Sequence, residues 1–182
     1  MSGLVKGSSM SHNGEGTSRP QLKTVVISAF PCCGKTYAYQ NYQDKYKILD
    51  SDSSQFSWVK DKDGNNTKVR NPEFPKNYIK HIKDNIGKVD IIFVSSHLIV
   101  RQALEDEGIH FITVYPEDNM LNEWVGRMYR RGSSESFIQF QIDHWDEFVK
   151  GVINEPKGDG LVRLGNNEYL SNLDAFIHFA NE

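Results

Sequence analysis

Long apolar runs are missing from this 182-residue chain. None approaches the roughly 20 residues that a membrane span needs, and the N-terminus lacks the apolar core of a secretory signal. Cysteine is nearly absent. The two present, Cys32 and Cys33, are neighbours, so they make neither a structural staple nor a zinc site. An excess of one charge is also lacking: Lys+Arg number 21 against 24 Asp+Glu, a net charge of -3. A chain so balanced is not a general binder of polyanions, and any nucleic-acid contact must come from a local basic patch. What remains, 38% apolar and 25% charged residues, suits a globular domain large enough to bury a core. A reducing, cytoplasmic setting without a membrane partner is the simplest expectation.

Residues 1–20 (MSGLVKGSSMSHNGEGTSRP) are rich in Gly and Ser. They read as a flexible tail, or as sequence added for expression. Residues 21–182 read as one domain. Short β-branched runs predict strands at Thr24–Phe30, Tyr46–Leu49, Val89–Val94, Phe111–Tyr115 and Leu161–Leu164. Between them, apolar residues recur at helical spacing. One set is Tyr78, Ile79, Ile82 and Ile86, with Pro75 as a first helical residue. Others lie in His97–Glu107, in Met120–Met128 and in Leu173–Phe179, and a long set runs through Ile138, Ile142, Trp145, Val149 and Val152. Ser57–Pro72 is polar, with a turn signal at Asp63-Gly64-Asn65-Asn66. Strands alternating with helices predict an α/β fold, a parallel sheet covered on both faces.

The chemistry concentrates at Ala29-Phe30-Pro31-Cys32-Cys33-Gly34-Lys35-Thr36. The phosphate-binding pattern G-x-x-x-x-G-K-[ST] belongs between a strand and a helix, and this segment lies there with only its first glycine replaced, by Ala29. Backbone N–H groups in such a loop curl around phosphates. Gly34 allows close approach, Lys35 places a point charge on the outer phosphates, and Thr36 offers a hydroxyl to Mg2+. The bland alternative is a chance Gly-Lys-Thr turn. Cys33, among the loop N–H groups, is expected to have a lowered pKa.

The segment resembles the P-loop nucleoside and nucleotide kinases, where a proline at the place of Pro31 is common. The resemblance implies a three-layer fold with a five-stranded parallel core over about residues 22–179. It further implies ATP and Mg2+ as cofactors, an inserted acceptor-binding region at about 51–86 and a short lid at about 127–136. Asp50-Ser51-Asp52, at the end of the second expected strand, looks like the D-x-D of shikimate kinase and other hydroxyl kinases. By that likeness Asp50 supports the metal and Asp52 binds the acceptor or takes its proton. An ordinary turn capping the next helix is the alternative. The usual acidic residue after the strand Val89–Val94 is missing, since Ser95-Ser96-His97 follows and Asp90 lies at the other end. His97 reads as a cap or packing residue.

Positive charge for a moving phosphoryl group has several candidate sources. Arg101 sits where nucleotide kinases hold an acceptor phosphate, or else on a solvated helix face. Arg127, Arg130 and Arg131 fall at spacings that predict one helix face opposite the apolar stripe, before Gly132. They resemble a lid that closes on ATP; a basic helix end is the alternative. Arg70 and Lys68 are weaker acceptor candidates. Phe56 or Trp58 could stack on a base, whereas Trp124 and Trp145 read as core. The expectation is an ATP-dependent phosphotransferase, first a (deoxy)nucleoside monophosphate kinase. A hydroxyl kinase acting on a polynucleotide end, a modified DNA base or a small metabolite is the alternative, and a regulatory nucleotide-binding ATPase a third.

Overall fold

The computed structural model describes residues 23–182; the expected tail at 1–20 lies outside them. The chain begins with strand β1 (Val25–Ala29), helix α1 (Lys35–Tyr42), strand β2 (Ile48–Asp50) and a single helical turn α2 (Ser54–Ser57). Strands β3 (Trp58–Lys60) and β4 (Asn66–Arg70) follow, then α3 (Lys76–Asn85), β5 (Ile91–Val94), α4 (Leu98–Asp106) and β6 (Ile112–Pro116). Helices α5 (Leu121–Arg131) and α6 (Glu135–Asp143), strand β7 (Gly160–Leu164) and helix α7 (Leu173–Ala180) complete it.

Every residue of β1 is buried, which demands a core on each side of the sheet. The pleat supplies both, because successive side chains point to opposite faces. Val25, Ile27 and Ala29 join one core with Ile91, Phe93, Ile112 and Val114, under α1, α5, α6 and α7. Val26, Ile92 and Val94 join the other, under α3 and α4. The result is a five-stranded sheet in the order β2-β5-β1-β6-β7, parallel throughout, with helices on both faces. The chain leaves β1 for β2 on one side and later reaches β6 on the other. Open parallel sheets bind ligands at such a reversal, beyond the carboxyl ends of the strands.

The expected strands and helices are present with shifted ends, and three details differ. The polar stretch after β2 contains an antiparallel hairpin, β3 against β4. Its turn is held by Asp61, whose Oδ1 accepts the N–H groups of Asp63 and Asn65, each at 2.9 Å. The hairpin stands apart from the main sheet, and its residues are mostly exposed, so it lacks the alternation that marks a half-buried strand. The long pattern from Ile138 is not one helix. α6 ends at Asp143, a π-helical turn covers Asp146–Lys150, and a 3₁₀ turn covers Gly151–Asn154. Trp145 at the break donates its indole N–H to Asp118 O at 2.9 Å, a tertiary tie that local spacing does not reveal. Pro75 precedes α3 instead of opening it.

Two left-handed glycines separate conformational cost from collision. Gly64 (φ +81°), in the hairpin turn, has open space where a Cβ would stand. Gly158 (φ +62°) would drive a Cβ into the Phe111 carbonyl, and that backbone cannot rotate aside because Asp159 N–H holds the same oxygen at 2.7 Å. Gly64→Ala is expected to cost about 1–2 kcal/mol, and Gly158→Ala more than about 3 kcal/mol. Urea denaturation of the two variants checks the order.

Candidate functional site

The loop between β1 and α1 turns its carbonyls to protein, and one of its N–H groups, that of Cys33, bonds back to Phe30 O at 3.3 Å. Three consecutive carbonyls are held from behind. Pro31 O accepts the Trp124 indole N–H (2.9 Å), Cys32 O accepts Arg127 Nη1 (3.1 Å), and Cys33 O accepts Leu170 N–H (2.8 Å). Cys32 (φ +64°) and Gly34 (φ +98°) both take left-handed backbone. A Cβ at Gly34 would stand 3.0 Å from Tyr169 Cβ, so glycine is needed for the segment 165–170 to cover the loop. The N–H groups of Cys32, Gly34, Lys35, Thr36 and Tyr37 have no acceptor among the described residues. The Lys35 ammonium makes no hydrogen bond or ion pair there either, and Thr36 is exposed. Unpaired donors in a left-handed turn at a helix start form an anion-binding concavity.

Ala29, the buried last residue of β1, and Pro31 flank Phe30 at the entry to this loop. Phe30 N–H donates to Val114 O at 2.9 Å, which keeps the chain in line with β6 until the turn begins. Cys33 departs from expectation. Its thiol is fully buried, and burial pushes its pKa well above the ordinary thiol value, against the opposing pull of the Arg127 and Lys35 charges. The loop N–H groups do not activate it.

The second group lies two strands away, about 10 Å by strand spacing. The register sets Asp50 level with Phe93 and hence with Ile27, so Asp50-Ser51-Asp52 leaves the sheet beside the start of the loop. Hydrogen bonds join the three strand ends. Ser28 Oγ donates to Ser95 O (3.0 Å), Tyr78 Oη donates to Ser51 O (2.7 Å), and Ser95 N–H donates to Tyr78 Oη (3.1 Å). Burial pushes the Tyr78 hydroxyl up to about 12, so it stays a neutral bridge. Asp50 is exposed, and its carboxylate has no hydrogen-bond partner among the described residues. Asp52 is exposed and accepts Ser54 N–H through Oδ1 at 2.9 Å. The turn-capping role is therefore present, and Oδ2 is left open.

Beside Asp52 opens a cleft of about 330 Å³, lined by Ser53, Ser57, Arg70, Phe74, His97, Leu98 and Ile99. His97 is accessible from the cleft, yet enough protein surrounds it that lost hydration lowers its pKa. The Arg70 and Arg101 cations add to that, and the Asp52 carboxylate opposes it. The Arg70 guanidinium rests on the Trp58 ring at 4.4 Å from the centroid and has no carboxylate partner among the described residues. Phe56 packs against Tyr78 and His81 instead of standing free for a base.

Two arginines are corrected. Arg101 is buried, not presented to an acceptor. Nε donates to Ser96 O (2.9 Å), Nη1 to Pro156 O (2.9 Å), and Nη2 to Glu155 Oε2 (2.7 Å) and Tyr115 Oη (3.3 Å). Arg127 is also buried. It lies between the Trp124 and Tyr169 rings, with Nη2 on Glu123 Oε1 (3.0 Å) and Glu168 O (2.7 Å). The three arginines of α5 therefore do not form one mobile face. Arg127 points inward with Trp124 and Met128, while Arg130 and Arg131 are exposed. Arg131 alone of that pair reaches the loop, with Nη1 4.0 Å from Cys32 Sγ. Segment 127–136 is the end of α5, a left-handed Gly132 cap and the start of α6, capped by Ser134.

Sequence reasoning missed Ser28 and Tyr78, the Trp124 indole N–H and the whole segment 165–170. Nothing local in those residues signals the contacts, which join parts of the chain far apart in sequence. No family model matches the chain, and no curated protein sequence matches it. No helix among the described residues is long and apolar enough to cross a membrane.

Arg101→Met leaves Glu155 without its partner and is expected to cost about 3–5 kcal/mol, or about 10 °C in melting temperature. Adding Glu155→Met should recover part of that loss, as thermal melts of the single and double variants will show. His97 gives a pH test. Its folded pKa lies below the ordinary 6.5, so the folded state binds fewer protons than the unfolded one just below that pH. Stability is therefore full above about 6.5 and declines as pH falls through that value toward the folded pKa. NMR titration should place the His97 midpoint below 6.5, and Arg70→Ala should move it upward.

Proposed function

We propose that this protein transfers the γ-phosphoryl group of ATP, with Mg2+, to a hydroxyl on a small or nucleoside-like acceptor. The observation that carries the phosphoryl-transfer reading is the set of unpaired N–H groups, at Cys32 and from Gly34 to Tyr37, beside the unpartnered Lys35. Such an array suits the β- and γ-phosphates of a P-loop nucleotide, and it would be idle in a merely structural turn. The parallel sheet of five strands is compatible with that family's fold.

The metal fits the donors present. Among the described residues no cluster of three or more His, Cys, Asp or Glu could hold an ion by itself. Mg2+ prefers one or two protein oxygens with waters and phosphates filling the rest. The Thr36 hydroxyl and the free Asp50 carboxylate are candidates of that kind. Bound there, the ion would neutralise charge on the transferred group. Arg131, beside the loop, is the α5 cation best placed to add to it, with Arg130 as a second.

A hydroxyl acceptor is favoured over a nucleoside monophosphate by the fate of Arg101. With its donors turned to Glu155, Ser96, Pro156 and Tyr115, the cleft keeps one uncommitted arginine, Arg70. It also keeps a carboxylate with an open oxygen at Asp52. In the step, the acceptor oxygen bonds to the γ-phosphorus as its proton passes to Asp52. The bond from the γ-phosphorus to the bridging oxygen breaks, and ADP leaves with that electron pair. Lost hydration at His97 keeps its imidazole neutral near pH 7, so it adds no repelling cation to the cleft. A monophosphate acceptor is the second reading, favoured by Arg70 itself, with Lys68 two residues away; it would need no base.

The test is an acceptor screen with γ-labelled ATP over nucleosides, nucleoside monophosphates, DNA, RNA and small polyols. Label is expected on a hydroxyl acceptor, and ATP turnover is expected to require that acceptor; turnover without one would instead support a regulatory ATPase. Lys35→Ala should abolish transfer with an unchanged melting temperature. Asp52→Asn should lower kcat by about 10²–10⁴-fold if it takes the proton. An effect confined to the acceptor KM would favour the monophosphate.

A further inference from the structure

We propose that Arg127, together with Trp124, is a positioning residue that sets the N–H array of the 29–36 loop without touching the ligand. This rests on the phosphate-loop reading and deepens it. A peptide plane carries its C=O and the next residue's N–H on opposite edges. Holding Pro31 O and Cys33 O therefore fixes where the free Cys32 and Gly34 N–H groups aim, while the plane between them is held on both edges, Cys32 O by Arg127 and Cys33 N–H by Phe30 O at 3.3 Å. Here the carbonyls of Pro31, Cys32 and Cys33 are fixed by donors from two distant segments, α5 and 165–170. Arg127 joins those segments to each other. One guanidinium binds Cys32 O, Glu168 O and Glu123 Oε1, while Glu123 Oε1 also accepts Asn167 N–H at 2.8 Å. The Trp124 and Tyr169 rings lie 3.8 and 3.9 Å from its central carbon and fix the plane of the fork.

The loop needs such a holder. Cys32 is one of only two non-glycine residues with positive φ among those described, and that backbone costs an L-residue roughly 1–2 kcal/mol. Released from these carbonyl contacts, the peptide planes of residues 31–33 would be free to turn, and the Cys32 and Gly34 N–H groups would no longer converge. Lysine cannot replace the arginine, since its point charge lacks the planar fork that reaches two carbonyls and a carboxylate at once.

The probe is inorganic pyrophosphate, titrated by calorimetry into the full chain well below its melting temperature. Trp124→Phe removes the Pro31 hydrogen bond and some buried ring volume, carries no charge change and keeps a ring over the guanidinium. It should weaken pyrophosphate about tenfold, the scale of one hydrogen bond. Arg127→Lys should weaken it by about ten- to a hundredfold. Tyr169→Leu, at a more exposed position, should weaken it about two- to fivefold by loosening the guanidinium. All three should speed hydrogen exchange at the paired amides of Cys33, Asn167 and Leu170, which donate to Phe30 O, Glu123 Oε1 and Cys33 O, a readout that general destabilisation would spread over the domain. Loss of affinity in Arg127→Lys alone, with Trp124→Phe and Tyr169→Leu like the parent, overturns the proposal by making Arg127 a direct ligand contact. Parent-like affinity in all three overturns it as well. If the parent chain does not bind pyrophosphate, or Lys35→Ala binds it equally, the phosphate-loop reading falls and takes this proposal with it.

Discussion

The burial of β1 on both faces is the constraint from which the rest follows. A strand of five apolar or small residues, all of them buried, must be flanked by other strands and covered by helices on each side. With β5 and β6 as its neighbours, its carboxyl end becomes the centre of the sheet's edge. The chain then has to turn sharply into α1, and the turn exposes backbone N–H groups that nothing in the sheet can pair. The site is thus a consequence of how the central strand ends.

Several backbone polar groups at that edge are paired from behind, by residues in contact with the core, while Ser51 Oγ and Arg127 Nε are buried there without a partner among the described residues. Tyr78 bridges β2 and β5, Ser28 ties β1 to β5, and Trp124 and Arg127 reach from α5 to the loop. Each contact removes an unpaired polar group that burial would otherwise make costly. At Pro31 and Cys33 the far edge of the peptide, the Cys32 and Gly34 N–H, has no acceptor among the described residues. Support and availability arise together because a peptide group is polar on both edges.

The arginines divide on the same physical ground. A guanidinium is always charged, so burying one demands a carboxylate and several acceptors. Arg101 has Glu155 and three further oxygens; Arg127 has Glu123 and two carbonyls. Arg70, Arg130 and Arg131 remain at the surface. The same residue type on one helix therefore serves either architecture or the open site, depending on which carboxylate folds beside it.

Much of this was legible in the sequence. β-branched runs at Val25–Ala29 and Ile91–Val94 announce buried parallel strands because strands covered on both faces carry no polar alternation. Gly34-Lys35-Thr36 after such a run announces the loop, since strand, turn and helix are adjacent in the chain. The β3–β4 hairpin was not legible, because its residues pack on little and so show no pattern. Nor was the inward turn of Arg127, whose spacing from Arg130 and Arg131 gives only their angular separation on a helix. Its position is decided by Glu123, Glu168 and Tyr169, and Arg101's by Glu155. Local chain chemistry determined the strands, the phosphate-loop pattern and the Asp-Ser-Asp turn. Tertiary structure alone decided which charged groups stay free for chemistry, because desolvation and pairing depend on residues as far as 95 and 55 positions away in the chain.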